Sequence, residues 1–348
     1  MSAGCSRNDA LPLSFPVLPQ HLSRLPGGAF RISGRSPFPP FPRPEYKEFP
    51  MNIGLALGGG AARGWAHIGI IEALEGMGIM PSVICGTSIG ALVGASCAAG
   101  NLDRLKGSVL SLTRLGMMGY FNISTSLSTL VRRDKLQELF ENAVVPSGVQ
   151  IEDLPLRYAA VATELATGRE LWLKKGDVLQ AVWASIALPG LFPPVWHKRR
   201  WLVDGGLVNP VPVSVCRALG ADMVIAVNLN GDIVGRHISP EQREPEHDPG
   251  VIGRVAAAVR RYSRTGQEDG ENGMPERPGT LDTVFGAVDI MQERITRSRM
   301  AGDPPDVLLV PRVGSFSLME FYKAEEAIRA GERCVESMRP VIEAALAR

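Results

Sequence analysis

NIGLALGGGAARGWAHIGIIEALEGMG, residues 52–78, places a short apolar run, a glycine cluster and a helical pattern in that order, and the order decides the fold. NIGLAL (52–57) is apolar and bounded by glycine, which reads as a buried strand. After the glycine loop 58–64, Ile68, Ile71 and Leu74 recur on one helical face until Gly76 and Gly78 end the run. SVIC (82–85) is a second strand, followed at once by a small-residue helix from about 89 to 99. The same patterning predicts strands at 157–163, 169–173, 200–203, 222–228 and 306–310. It predicts helices near 133–142, 177–187, 210–219, 284–301 and 320–347. Alternation of this kind implies an α/β fold whose sheet carries helices on both faces.

The chain has 348 residues, 45% of them hydrophobic, enough for a well-buried core. Lys plus Arg (37) balances Asp plus Glu (36), so the overall field gives no reason to expect nucleic acid as a partner. Five widely spaced cysteines without a C-x-x-C suggest neither a disulfide framework nor a zinc site, and fit a reducing compartment. Gly76 to Asn101 holds no charged residue, but Pro81, Ser82, Thr87, Ser88 and Ser96 interrupt it, which suits a strand, a sharp turn and a buried helix better than a membrane span. LPLSFPVLP near the N-terminus has too many prolines for a signal-peptide core, so a cytoplasmic location is expected.

Residues 1–50 are rich in Pro, Ser and Arg without periodicity and read as a disordered extension, with an over-extended gene start as its explanation. The domain then runs from 51 to 348, interrupted at about 230–281 by a Gly, Pro, Arg and Glu-rich insertion. Within it VIGRVAAAVRRYSR (251–264) has the pattern of an amphipathic helix: a solvated linker, a mobile cover or a membrane-surface contact. The C-terminal helix sets Ala324, Ala327, Ile328, Gly331, Val335 and Met338 on one face, expected to pack on the sheet.

GTSIG (86–90), after a strand and before a helix, has the form of a nucleophile elbow. Glycines two before and two after Ser88 let backbone crowd a sharp turn. The helix N-terminus behind the serine favours a developing anion. GGGAARG (58–64) lacks the lysine of a phosphate loop, and Ala61 stands where a dinucleotide fingerprint needs its middle glycine, so a nest of N–H groups for an oxyanion is preferred. Arg63, the one charge in that loop, reads as an anchor for backbone carbonyls. The base is less plain. His21, His67, His197, His237 and His247 are available, and a Ser, Asp, His order would need His237 or His247 from the insertion. WLVDGGLVNPVP (201–212) instead ends an apolar strand in Asp204 followed by two glycines, where a turn or capping role competes with catalysis.

Together GGGAARG, GTSIG and DGG, with VATELATG (161–168) and ASIALPGLFPP (184–194), resemble the patatin-like phospholipase (PNPLA) family, in its bacterial RssA-type, neuropathy-target-esterase-like branch. The resemblance spans Ile53 to Asn230. It implies a three-layer α/β/α fold with a central, mostly parallel sheet. It implies a Ser–Asp dyad without histidine: Ser88 as nucleophile, held by Gly86, Thr87, Ile89 and Gly90, and Asp204 as proton acceptor beside Gly205 and Gly206. Gly58, Gly59, Gly60, Ala61, Arg63 and Gly64 would form the oxyanion loop. A carboxylate of reference pKa about 3.9 is a weak base toward a hydroxyl, so electrostatic stabilisation, at roughly 2.7–4 kcal/mol per oxyanion donor, must lower much of the barrier. The resemblance implies a lipid or acyl-ester substrate and no metal or cofactor; phospholipid, lysophospholipid, simple ester and thioester stay open, as does the oligomeric state. HKRRW (197–201) fits either a solvated hairpin tip or a contact with anionic headgroups at the inner membrane face. A Ser–His–Asp esterase and a non-catalytic scaffold are the alternatives.

Overall fold

The computed structural model describes residues 51–120, 133–232 and 280–347. The expected N-terminal extension, the 251–264 helix and His21, His237 and His247 lie outside the described residues. The sheet centres on β1 (Ile53–Leu57), which pairs in parallel with β2 (Val83–Thr87) on one side and with β7 (Met223–Val227) on the other. β3 (Arg157–Glu164) lies parallel to β2, and β8 (Val307–Leu309) parallel to β7. Antiparallel partners gather at β3: β4 (Glu170–Leu173), and β6 (Arg200–Asp204) with its hairpin partner β5 (Val195–His197).

The helices are α1 (Ala66–Gly76), α2 (Ile89–Ala98), α3 (Leu102–Leu110), α4 (Arg114–Met118), α5 (Arg133–Ala143), α6 (Val178–Ser185), α7 (Val213–Ala218), α8 (Thr280–Gly302) and α9 (Ala324–Leu346). They cover both faces of the sheet, giving three layers. The period-2 alternation of the strands sorts the two cores. Ile53, Leu55, Leu57, Ile84, Ile225 and Val227 point to one side, where residues of α1, α2, α6 and α9 meet them. The small residues Ala56, Cys85, Ala159 and Ala226 point to the other, where α7 supplies Val213, Val215 and Cys216. Each large aliphatic side chain buried on the first side is worth about 1.5–3 kcal/mol.

The stretch from Gly76 to Asn101 folds as the end of α1, β2 and the ten-residue α2, and among the described residues no helix is long and apolar enough to cross a membrane. Two departures from the sequence expectation matter. β5 is only three residues long and follows Pro193 and Pro194, so it gave no periodic signal. And α9 packs chiefly on α1, meeting the sheet mainly at β8. The reason is small size. A Cβ on Gly69 would lie 2.0 Å from the Ile328 carbonyl oxygen, and one on Gly331 would lie 2.1 Å from that of Ala66, so the two helices approach backbone to backbone.

Candidate active site

Ser88 sits between β2 and α2 with φ 55° and ψ −125°, a left-handed conformation that a non-glycine residue adopts only under constraint. The constraint is visible. A Cβ on Gly86 would stand 2.3 Å from the Gly90 carbonyl oxygen, and one on Gly90 would stand 2.2 Å from that of Leu57, so only glycine fits at both flanking positions. The Thr87 hydroxyl donates to the Asn209 carbonyl at 2.8 Å. The Ser88 N–H donates to the Ser185 hydroxyl at 2.9 Å, and that hydroxyl in turn donates to the Val161 carbonyl at 2.6 Å. The backbone of the turn is thereby fixed from α6 as well as from the sheet.

Asp204 reaches the serine through strand register. β4 takes one edge of β3, so β2 and β6 share the other edge: Thr87 pairs with Val161, and Asp204 with the next residue, Ala162. Two residues 116 positions apart are thus neighbours along β3, and the Ser88 hydroxyl donates to Asp204 Oδ2 at 2.6 Å. Oδ1 accepts the Gly206 N–H at 2.7 Å, and the Thr163 hydroxyl donates to the Asp204 backbone carbonyl at 2.8 Å. Burial disfavours the charged form and raises the Asp204 carboxyl to about 6, against the opposing pull of the hydrogen bonds from Ser88 and Gly206. A carboxylate so raised is a better proton acceptor than a solvated one.

In the glycine loop the structure corrects one expectation. The Gly58 N–H is committed to the Val227 carbonyl (3.1 Å) and the Gly59 N–H to the Pro210 carbonyl (3.0 Å), so both tie the loop to the scaffold. The Ala62 N–H goes to Leu318 (3.1 Å) and the Arg63 N–H to Gly60 (3.2 Å). Among the described residues, the N–H groups of Gly60 and of Ala61, the first residue of the short 3-10 turn Ala61–Trp65, are left without a backbone partner, and Ala61 is held at φ 50°. Arg63 is buried and anchors the loop as expected, its Nε donating to the Gly60 carbonyl at 3.1 Å. Its other end forms a 2.8 Å ion pair with Asp289 of α8. Gly64 lies against Ile89, the first residue of α2.

The two histidines among the described residues do not touch Ser88. His67 Nε2 lies 2.8 Å from the Gly58 carbonyl, which can only accept, so this nitrogen carries the proton. Its Nδ1 is buried without a partner among the described residues, and burial pushes the ring down to about 4. His197 Nδ1 lies 3.0 Å from Gln180 Oε1. No group of three or more His, Cys, Asp or Glu side chains that could hold a metal occurs among the described residues.

Beside Ser88 opens a cavity of about 790 Å³, its mouth included, walled almost wholly by apolar side chains. Ile89 and Leu92 come from α2, Leu136, Leu139 and Phe140 from α5, Leu188, Leu191 and Phe192 from the segment after α6, and Met319 and Phe321 from the approach to α9. Sequence reasoning missed Ser185, Asp289 and the pocket wall. Ser185 carried a signal, a lone hydroxyl closing the otherwise apolar end of α6. Asp289 carried none.

A patatin-like phospholipase family model matches residues 55–217. An uncharacterised NTE family protein of Mycobacterium bovis is 33% identical over 325 residues, with 80% of this chain and 89% of that protein covered. A second uncharacterised NTE family protein of the same organism is 29% identical, covering 80% of this chain and 45% of its own length. The lysophospholipase NTE1 of Coccidioides immitis is 28% identical over 289 residues, 80% of this chain and 17% of that far longer protein. The motif order, the three-layer fold and these likenesses agree: the chain belongs to the patatin-like phospholipase family, in its NTE branch, and is a lipid acyl hydrolase.

Proposed function

We propose that this enzyme hydrolyses the acyl ester of single-chain lipids, lysophospholipids above all, with Ser88 and Asp204 as a two-residue catalytic unit. The observation that carries the reading is the 2.6 Å hydrogen bond from the hydroxyl of Ser88, which lines an apolar cavity, to the buried Asp204 carboxylate. One cavity suits one acyl chain, and the name of the Coccidioides relative supports a lysophospholipid.

Asp204 accepts the Ser88 proton as Oγ attacks the acyl carbonyl. The Gly60 and Ala61 N–H groups, with the N-terminal end of α2, stabilise the oxyanion that forms. Collapse expels the alcohol portion, which takes its proton from Asp204, and leaves the acyl chain on Ser88. A water then gives its proton to Asp204 and its oxygen to the acyl group, and Asp204 hands that proton to Ser88 Oγ as the fatty acid leaves, restoring the serine.

The test is turnover of p-nitrophenyl butyrate and of lysophosphatidylcholine by wild type, Ser88→Ala, Asp204→Asn and His237→Ala, each checked for folding by circular dichroism. Loss in the first two variants with retention in the third supports the reading. Retained activity in Asp204→Asn with loss in His237→Ala would show a histidine-dependent triad instead, and folded wild-type protein that cleaves neither ester would sink the proposal.

A further inference from the structure

Strands β5 and β6 form a hairpin whose two-residue turn is Lys198–Arg199, closed by the pair His197 and Arg200. Both turn residues have positive φ, 45° and 66°, the conformation that two-residue hairpin turns usually assign to Asn and Gly. Two long cations therefore occupy positions that smaller residues fill with less strain. Arg200 faces Glu164 at a loose 3.6 Å, and among the described residues neither Lys198 nor Arg199 forms an ion pair. Behind the turn, Trp196 and Trp201 pair across the strands with ring centroids 4.9 Å apart, yet remain 53% and 50% exposed. Leu165, also exposed, joins them through its N–H to the Trp201 carbonyl at 2.9 Å.

Exposed tryptophans, whose rings settle at the depth of lipid headgroups, next to two turn cations that form no ion pair among the described residues, match the chemistry of an anionic bilayer surface. The hairpin is also continuous with the site. Phe192, a wall of the acyl cavity, precedes the first residue of β5 by three positions, and β6 ends in Asp204. At about 3.3 Å per residue, the charged tip lies on the order of 15 Å along the strand from the carboxylate.

We propose that the Trp196–Trp201 hairpin is the surface by which the enzyme docks on anionic phospholipid bilayers, with Lys198 and Arg199 contacting headgroup phosphates and the two indoles entering the interface. Docking there brings the cavity entrance to the lipid that it draws from. The location gains its meaning from the hydrolase reading, but binding is scored without turnover, so the two stand or fall separately.

The test is sedimentation of the full chain with vesicles of phosphatidylcholine alone and of an equimolar mixture with phosphatidylglycerol, at low and high salt. Wild type should prefer the anionic vesicles and lose the preference at high salt. The Lys198→Glu/Arg199→Glu variant should bind them at least about 25-fold more weakly, about 5-fold for each cation removed. Trp196→Ser/Trp201→Ser should weaken binding to both compositions. Hydrolysis of p-nitrophenyl butyrate, a soluble ester, should be unchanged in the charge variant, showing an intact fold. Equal binding of wild type to both compositions, no binding at all, or undiminished binding by the folded charge variant would overturn the proposal.

Discussion

Arg63, which is buried, and Asp289, which is half-buried, 226 residues apart in sequence, meet at 2.8 Å in an ion pair directly under the glycine loop. Arg63 alone would leave a charge in the interior. Asp289→Ala is therefore expected to destabilise the fold by about 3–5 kcal/mol and to lower kcat, because the guanidinium that holds the Gly60 carbonyl loses its own anchor. Adding Arg63→Met should return most of the stability, read by urea unfolding, without returning kcat. Recovery of both would mean that the pair is structural only.

In the proposed mechanism Asp204 must be ionised to accept the Ser88 proton, so kcat/KM should rise with pH through a single midpoint near 6, set by its burial. The same shift acts on stability with opposite sign. The folded carboxyl titrates above its unfolded value of 3.8, so its contribution is present below about pH 4 and lost as pH rises through 6. Relative to Asp204→Asn, wild type should lose about 2–4 kcal/mol between pH 4 and pH 7. Parallel stability profiles for the two proteins would contradict this.

His67 tilts the other way. Its folded value of about 4 lies below the unfolded 6.5, so its contribution is present above pH 6.5 and lost as pH falls toward 4. His67→Gln, which keeps a donor for the Gly58 carbonyl, should remove an acid-side loss of about 2–4 kcal/mol. Thermal melts of wild type and variant at pH 7 and pH 4.5 read it directly: the wild-type Tm should drop further on acidification.

Ser185, at the end of α6, accepts the hydrogen bond of the Ser88 amide. Replacing it with alanine orphans the Ser88 N–H, which should cost about 1–3 kcal/mol of stability. A displaced elbow should lower kcat by about 10- to 100-fold while KM for a short soluble ester stays put. A change confined to stability would assign Ser185 to the core alone.

Leu188 lines the acyl cavity near Phe192. A tryptophan there should shorten the usable chain, cutting kcat/KM for p-nitrophenyl laurate relative to the butyrate by at least about 10-fold. An unchanged ratio would place the acyl group elsewhere.

Much of this site was legible because its signals are local. The strand, the glycines flanking Ser88 and the turn after Asp204 each announce themselves within a few residues, and the fold brings Ser88 and Asp204 together by adjacent register on β3. What was not legible depends on distant partners. Gly59 could be read as an oxyanion donor because its acceptor, the Pro210 carbonyl, lies some 150 positions on in the chain. The inner face of α8 carries Asp289, Gln292 and Glu293, which pair with Arg63, Asn230 and Asn228, and Thr296, whose hydroxyl donates to the Gln292 carbonyl, so no apolar stripe marked it as a wall of the site. The placement of α9 depended on Gly69 and Gly331 facing each other, a relation no single helix contains.

That last contact sets a clock on biosynthesis. α1 extends directly from the glycine loop, and its outer side is covered by α9, which the ribosome makes long after β1, β2 and Asp204. A nascent chain that already holds serine and aspartate still has α1 bare and the Leu318 tether of the loop newly formed or missing. We therefore expect esterase activity to switch on late during translation, when residues 324–346 have cleared the exit tunnel. Stalled chains of increasing length, assayed with a soluble fluorogenic ester, would reveal the step, and activity in chains ending before α9 would refute it.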